Sequence, residues 1–196
     1  MTVTAIARPR VLADLVPGGL VRDVTLVVGA AALTGLAAQV AVPLEPFTPV
    51  PLSLQTLTVL LAGAALGPVR GVASMLLYLG VGAVGVPWFA QGNSGVGFVT
   101  LGYVLGFIVA AGIVGALARR GADRSVVGAA AVMVLGNLVI YAIGVPYLAV
   151  AAGIDLPAAI AAGAVPFILG DALKIVIAAG LLPTAWWLAG SDRIRS

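Results

Sequence analysis

The sequence predicts an all-α integral membrane protein, a compact bundle of six transmembrane helices with the N- and C-termini in the cytoplasm. Three observations support this fold class: the composition, the lengths of the apolar segments and the positions of the basic residues. Of the 196 residues, 62% are hydrophobic and 9% are charged, and the mean hydropathy is +1.19. A water-soluble globule needs more polar residues than this to cover its surface. The chain is therefore expected to fold in lipid.

The composition also excludes several kinds of chemistry. The chain has no cysteine and no histidine, so it lacks thiolate chemistry, disulfides, and the side chains that most often ligate metals or act as general bases. We expect no metal site, no cofactor and no enzymatic activity. The net charge is only +3, and basic residues in membrane-flanking loops account for it better than a nucleic-acid partner does.

Six apolar segments are separated by Gly, Pro or charged residues, at 24–42, 52–66, 69–86, 98–118, 126–145 and 166–189. The bilayer core takes about 20 helical residues to cross, so the second and third segments are short. Gly67-Pro68 joins these two, and a glycine stop followed by a proline start predicts a tight hairpin. The prediction divides the chain into an N-terminal cytoplasmic segment (1–23), a membrane domain (24–189) and a cytoplasmic tail (190–196).

The basic residues give an independent test of this topology, because Lys and Arg concentrate in cytoplasmic loops. Successive loops between six spans lie on alternating sides of the membrane. Nine of the ten basic residues then fall on the same side as the N-terminus: Arg8, Arg10, Arg22, Arg70, Arg119, Arg120, Arg124, Arg193 and Arg195. The tenth is Lys174, inside the sixth segment. We expect no cleavage after the first segment, because removal would leave five spans and an external N-terminus.

Lys174 and Asp171 are the charged residues within the otherwise apolar run "FILGDALKIVIAAG" at 167–180. At a rise of 1.5 Å per residue from Pro166, Asp171 lies ~7 Å and Lys174 ~12 Å below the outer boundary of the membrane. Their i, i+3 spacing puts both on one helix face, with the acid N-terminal to the base. One interpretation is a self-satisfied pair that holds the bundle in register. The interpretation we favour is a polar floor for a ligand that enters from outside, since Ser, Thr or Asn would make a structural contact at lower cost.

Two outer loops can frame the mouth of such a pocket. The segment at 43–51 contains four prolines and predicts a stiff, extended ledge. The segment at 91–97 is glycine-rich and predicts a flexible loop that carries amide and hydroxyl groups. Within the spans, Gln55 and Asn137 are the remaining strong hydrogen-bonding side chains.

Four stretches resemble the BioY family, the biotin-capturing membrane subunits of energy-coupling-factor (ECF) transporters. They are "PFTPVPLSLQTLTVLLAGAALGPVRG" (46–71), "GYVLGF" (102–107), "GNLVIYAIGVPYLA" (136–149) and "PFILGDALKIVIAAGLLP" (166–183). The resemblance implies a six-helix S component in the plasma membrane of a prokaryote, with biotin bound near the outer face. One stretch departs from the family, which usually reads GPTGGY where this chain has "FVTLGY" (98–103).

The resemblance also implies binding residues. Asp171 and Lys174 match the family's Asp-x-x-Lys, Gln55 matches its Leu-Gln-Thr glutamine, and Asn93 lies in the loop that supplies a binding asparagine. Biotin has two ureido N–H donors, a carbonyl, an apolar thiophane ring and tail, and a carboxylate. Asp171 would accept ureido hydrogen bonds, Lys174 and Asn93 would donate to a carbonyl or carboxylate, and Trp88 and Tyr141 would cover the remainder.

Energised transport would need partners, because the chain has no Gly-x-x-x-x-Gly-Lys-[Ser/Thr] loop for ATP. The resemblance implies a membrane-embedded coupling subunit and two ATP-binding-cassette ATPases, besides biotin and membrane lipid. Ala31, Gly35 and Ala38 form a stripe of small residues on the first helix, and such stripes allow close helix approach. We predict that this stripe contacts the coupling subunit.

Two alternatives remain open at this stage. An autonomous or proton-coupled carrier of biotin or another small vitamin would use Asp171 and Lys174 as a charge relay. An intramembrane hydrolase would need a nucleophile and a base, and only a Ser–Lys dyad of Lys174 with Ser53 or Ser74 is available.

Overall fold

The computed structural model describes residues 11–191, which form seven α-helices and one short β-ladder. The helices are α1 (Leu20–Gln39), α2 (Gln55–Leu66), α3 (Pro68–Ala83), α4 (Leu101–Ala118), α5 (Val126–Ala152), α6 (Leu156–Gly163) and α7 (Ile168–Ser191). Strands β1 (Ala41–Val42) and β2 (Leu52–Ser53) pair antiparallel, with Ala41 opposite Ser53. The predicted helical bundle is confirmed. The described range leaves out residues 1–10 and 192–196 of the two predicted terminal segments, and with them Arg8, Arg10, Arg193 and Arg195.

Four stretches of the described chain are long and apolar enough to cross a membrane: α1, α4, α5 and the region Leu156–Gly190 that contains α6 and α7. Helices α2 and α3 have 12 and 16 residues and are shorter than the ~20 that a perpendicular span needs. These helices correspond to the two apolar segments that the sequence predicted to be short.

Helix α4 is central and packs against α2, α3 and α5. Glycines allow this close packing: a Cβ at Gly63 of α2 would lie 2.7 Å from the Ala111 carbonyl oxygen, and one at Gly115 of α4 would lie 2.5 Å from the Gly67 carbonyl carbon. Small residues permit such backbone approach between apolar helices, where dispersion rather than the hydrophobic effect provides the attraction.

The α2–α3 hairpin forms as the Gly67-Pro68 pair predicts. Gly67 has φ +83°, and its N–H donates to the Gly63 carbonyl at 2.9 Å. A left-handed φ suits glycine, and proline at the first helical position lacks only an N–H that would have no intrahelical partner.

Two helices differ from the sequence prediction. Helix α5 continues through Pro146 to Ala152 instead of ending at 145, because Val145 and Leu148 on either side of the proline are buried in the core. Helix α6 was not predicted. Its start has a recognisable signal, since the Asp155 side chain accepts the Ala158 N–H at 2.8 Å and proline follows two residues after the cap.

The proline-rich segment at 43–51 also differs from its prediction. It bends into a turn, in which the N–H groups of Phe47 and Thr48 both donate to the Leu44 carbonyl. Thr48 is buried, whereas Phe47 is 85% exposed. The β1–β2 ladder closes this turn at its base, so the segment forms a folded cap rather than an extended ledge.

The described arginines gather at one end of the bundle. Arg70 at the start of α3 pairs with Asp23 at 3.0 Å and with Asp14 at 3.1 Å, and Arg22 pairs with Asp23 at 2.7 Å. Arg119 lines the same surface depression as Arg70. This end, at the α2–α3 and α4–α5 turns, is opposite the β-ladder and the cap.

Candidate functional site

A cavity opens at the end of the bundle opposite the arginines, with an empty volume of about 580 Å³ including its open mouth. Its walls come from the cap and β2, the start of α2, the segment before α4, and helices α4, α5 and α7. The lining residues are mostly apolar or aromatic and include Phe89, Phe98, Val104, Phe107, Ile140 and Phe167. An apolar and aromatic lining with few polar groups is typical of sites for small organic molecules.

The polar floor of the cavity is an ion pair on α7. Lys174 Nζ lies 3.1 Å from Asp171 Oδ1, and the two residues are only 8% and 5% exposed. Lys174 Nζ also donates to Thr56 Oγ1 on α2 at 2.9 Å. The Tyr141 hydroxyl on α5 donates to Asp171 Oδ2. Both carboxylate oxygens therefore have donors, and the pair joins three helices.

Local sequence explains why α7 presents this pair to the cavity. The turn Val165–Phe167 precedes the helix, so Asp171 falls in the first helical turn. There the helix dipole favours a negative side chain. Gly170 lets β2 approach closely, because a Cβ at this position would lie 2.8 Å from Leu52 Cδ1.

Gln55 also lines the cavity, and its side chain is held from two sides. The Ser53 hydroxyl donates to Gln55 Oε1 at 3.0 Å, and Gln55 Nε2 donates to the Tyr78 hydroxyl at 2.7 Å. Tyr78 in turn donates to the Trp88 carbonyl at 3.2 Å. This chain of bonds fixes the amide, so its orientation is set before any ligand arrives.

Four of the six predicted binding residues meet at the cavity: Asp171, Lys174, Gln55 and Tyr141. Trp88 and Asn93 are not among its lining residues. The Trp88 ring packs over α1, where a Cβ on Gly35 would come within 2.9 Å of it, and its indole N–H donates to the Tyr78 carbonyl. Asn93 is exposed, and its amide donates to the Ala90 carbonyl at 2.9 Å.

Sequence reasoning missed several lining residues. Thr56 follows Gln55 in the Leu-Gln-Thr motif, so its position was a usable signal. Tyr103 reaches the cavity from α4, and its hydroxyl donates to the Gly163 carbonyl at 2.8 Å. The aromatic side chains Phe89 and Phe98 come from the segment before α4 and Phe167 from the turn before α7, and only the folded chain brings them together.

The stripe predicted to contact a coupling subunit faces the interior of the bundle instead. Ala31 and Ala38 are 0% exposed, and Gly35 is buried under Trp88. This prediction is wrong for the described structure, because the close approach that small residues allow is used by the chain itself. The opposite face of α1 is exposed and carries Leu33 and Leu36.

The serines of the hydrolase alternative do not contact Lys174 within the described residues. The Ser53 hydroxyl donates to Gln55, and the Ser74 hydroxyl donates to the Arg70 carbonyl at the other end of the bundle. Lys174 instead contacts the hydroxyl of Thr56. The Ser–Lys dyad therefore lacks its defining hydrogen bond.

A bundle of apolar helices around a cavity with a buried ion pair defines a membrane protein built to bind a small ligand. The family model described as "BioY family" matches residues 6–191. The chain belongs to the BioY family, and the resemblance seen in its motifs is confirmed.

Relatives of known name agree with this assignment. The biotin transporter BioY of Rhizobium etli is 36% identical over 68% of this chain and 76% of its own. The probable biotin transporter BioY of Pyrococcus horikoshii is 38% identical over 80% of this chain and 91% of its own. The fold is similar to that of the S-component for biotin from an ECF-type ABC transporter, with a TM-score of 0.76 over 84% of this chain and 90% of that one at 23% identity.

Proposed function

We propose that this chain is the biotin-capture subunit of an ECF transporter and binds biotin at the Asp171–Lys174 pair. The observation that carries the proposal is that this buried pair lines the cavity of a chain that belongs to the BioY family. The named relatives are biotin transporters, and transport rather than enzymatic chemistry is the activity we assign.

The cavity's chemistry is complementary to biotin. An ionised carboxylate has about four lone-pair sites, and Lys174 and Tyr141 occupy two of those on Asp171. The remaining sites can accept the ureido N–H groups. The Lys174 ammonium and the Gln55 amide supply donors for a carbonyl or carboxylate, and the aromatic lining suits the thiophane ring and tail.

The ion pair also keeps the empty site electrically neutral. Asp171 and Lys174 together carry no net charge, so the empty site does not bury a lone ion, which would be far more costly. When a ligand enters, its polar groups compete for hydrogen bonds that already point into the cavity. This arrangement favours a ligand with both donors and acceptors over an apolar one.

We further propose six spans, with 24–189 as the membrane domain, the segments 1–23 and 190–196 in the cytoplasm, and the cavity in the outer half of the bilayer. The segregation of charge supports this orientation, because the described arginines lie at one end and the cavity at the other. The membrane would be the plasma membrane of a prokaryote. Helices α2 and α3 would cross it with help from local bilayer thinning.

Uptake against a gradient would require the ECF coupling subunit and its ATP-binding-cassette ATPases. The chain has no phosphate-binding loop of the Walker type. The structurally similar protein is described as part of an ECF-type ABC transporter. We infer the same assembly here, with no nucleic-acid partner and no resident cofactor.

Titration calorimetry of the detergent-purified chain tests the proposal, with biotin as ligand and thiamine and riboflavin as controls. Lys174→Ala and Asp171→Asn are each expected to weaken biotin binding by at least about 100-fold, since each leaves a buried polar group unpaired. Asp123→Asn is the matched control, because it makes the same change at a buried aspartate that does not line this cavity.

Equal biotin affinity in wild type and both pocket variants would refute the assignment of the site. Absence of biotin binding by folded wild-type chain would refute the function. Uptake into proteoliposomes by the chain alone, driven by a proton gradient, would support the carrier alternative instead.

A further inference from the structure

A second, smaller cavity lies beneath the first, and the Lys174–Thr56 hydrogen bond separates the two. Thr56 and Lys174 line both cavities. The other residues around the lower one are Leu57, Leu60, Met133, Asn137 and Ile175. Asn137 stands one helical turn before Tyr141 on α5, so α5 contributes a polar group at each level.

Asn137 is the polar residue in this lower cavity whose role the binding chemistry does not explain. It is 6% exposed, and among residues 11–191 no hydrogen-bond donor reaches its Oδ1. Buried acceptors are rarely left without a partner, because the desolvation cost is then not offset. Because Asn137 and Lys174 line the same cavity, a group that bridges them would give Asn137 Oδ1 a hydrogen bond.

Lys174 has a donor available for that bridge. An ammonium carries three N–H groups, and in the described chain two are used, by Asp171 and Thr56. The space open to the centre of a water molecule in the lower cavity is about 10 Å³. One bound water needs roughly 10–15 Å³ and two to four polar partners, so the cavity suits a single water.

We propose that Asn137 is a positioning residue for Lys174: one water in the lower cavity accepts a hydrogen bond from the ammonium and donates one to Asn137 Oδ1. The second O–H of that water is available to Thr56 Oγ1. This bridge holds the ammonium at the floor of the upper cavity, against the pull of Asp171 from above. Its effect on ligand affinity rests on the proposed biotin function, whereas its effect on Lys174 itself does not.

Lys174 is the only lysine in the sequence, so selective ¹⁵N-lysine labelling gives one side-chain Nζ resonance that reports on it alone. The variants are Asn137→Leu, which removes the acceptor at similar volume, and Asn137→Gln, which keeps it. Met75→Leu is the control, because Met75 is a fully buried core residue that lines neither cavity.

Asn137→Leu is expected to shift the Nζ resonance of the ligand-free protein and to weaken biotin binding about tenfold, the effect of losing a water-mediated hydrogen bond to a charged group. Asn137→Gln is expected to restore affinity to within about threefold of wild type. Met75→Leu is expected to change neither quantity.

An unchanged Nζ resonance in Asn137→Leu overturns the proposal, whether or not affinity falls, since a merely structural asparagine would not act through Lys174. If Asn137→Leu does not fold, Asn137→Asp decides: a carboxylate in the lower cavity must draw the ammonium from Asp171, so an unmoved resonance with unchanged affinity overturns the link. If wild type binds no biotin, the proposed function fails while the resonance still tests the bridge.

Discussion

Helix α7 makes buried polar contacts near both of its ends, and the two differ in what surrounds them. Near its start, Asp171 and Lys174 line a cavity, and each carboxylate oxygen has a donor. Near its end, the Trp186 indole donates to Asp123 Oδ2 at 2.8 Å. Asp123 comes from the turn between α4 and α5 and is 0% exposed.

We call the Asp171 contact open, because it adjoins the cavity, and the Asp123 contact closed, because Asp123 is buried and does not line that cavity. No donor in the described chain reaches Asp123 Oδ1, and burial raises the pKa of this carboxyl above its usual value. The Arg124 guanidinium lies over the Trp186 ring, with its central carbon 4.5 Å from the ring centroid. Helix α7 thus contacts two buried carboxylates, its own Asp171 beside a cavity and Asp123 of the α4–α5 turn through Trp186.

The largest expected effect comes from removing both charges of the open contact. The double variant Asp171→Asn/Lys174→Met is expected to lose biotin binding by more than about 100-fold while its melting temperature stays equal or rises, because neutral replacement of a buried ion pair is often neutral or stabilising. Calorimetry and thermal unfolding in detergent measure the two quantities. Retained binding would mean that the pair is structural, like Asp123.

Removing the donor of the closed contact should affect stability alone. Trp186→Phe leaves Asp123 without its indole donor and is expected to lower the free energy of unfolding by about 1–3 kcal/mol. Biotin affinity is expected to stay within about twofold, since neither residue lines the cavity. A large loss of affinity in a folded variant would show that the two ends of α7 are coupled.

Tyr141→Phe tests the open contact by a smaller change, which keeps both charges. The variant removes the hydroxyl that donates to Asp171 Oδ2 and keeps the ring in the cavity wall. We expect biotin binding to weaken about 5- to 10-fold, the equivalent of one hydrogen bond of roughly 1 kcal/mol. Calorimetry at one pH measures it. No change would show that Asp171 does not depend on Tyr141 for its orientation.

The smallest effect concerns pH. Because the folded-state pKa of Asp123 is raised by burial, its contribution to stability is fully present at pH below the ordinary carboxyl pKa and is lost as pH rises through the raised value. Asp123→Asn lacks this titration. The melting temperature of wild type minus that of Asp123→Asn should therefore fall with rising pH, and a difference that rises with pH would contradict the assignment.

The sequence singled out Asp171 and Lys174 because a charge in an apolar helix has few structural reasons to exist, and both residues line the cavity. Their i, i+3 spacing also fixed their shared face. The continuation of α5 was missed, since the core packing of Val145 and Leu148 outweighs the local signal of Pro146. Helix α6 was missed although the Asp155 cap signals its start. The stripe on α1 was assigned to the wrong partner, because small residues indicate close approach without saying what approaches.

Composition, periodicity and the placement of single charges were enough to determine a helical membrane bundle, its short hairpin and the ion pair on its last helix. These properties depend on the solvent and on residues near in sequence. Only the tertiary structure decided that Thr56, Tyr141 and aromatic residues of α4 and of the segments before α4 and α7 enclose one cavity with that pair. It also decided that Trp88 packs over Gly35 and does not line the cavity. Such contacts join residues far apart in the chain, and their geometry depends on how whole helices pack.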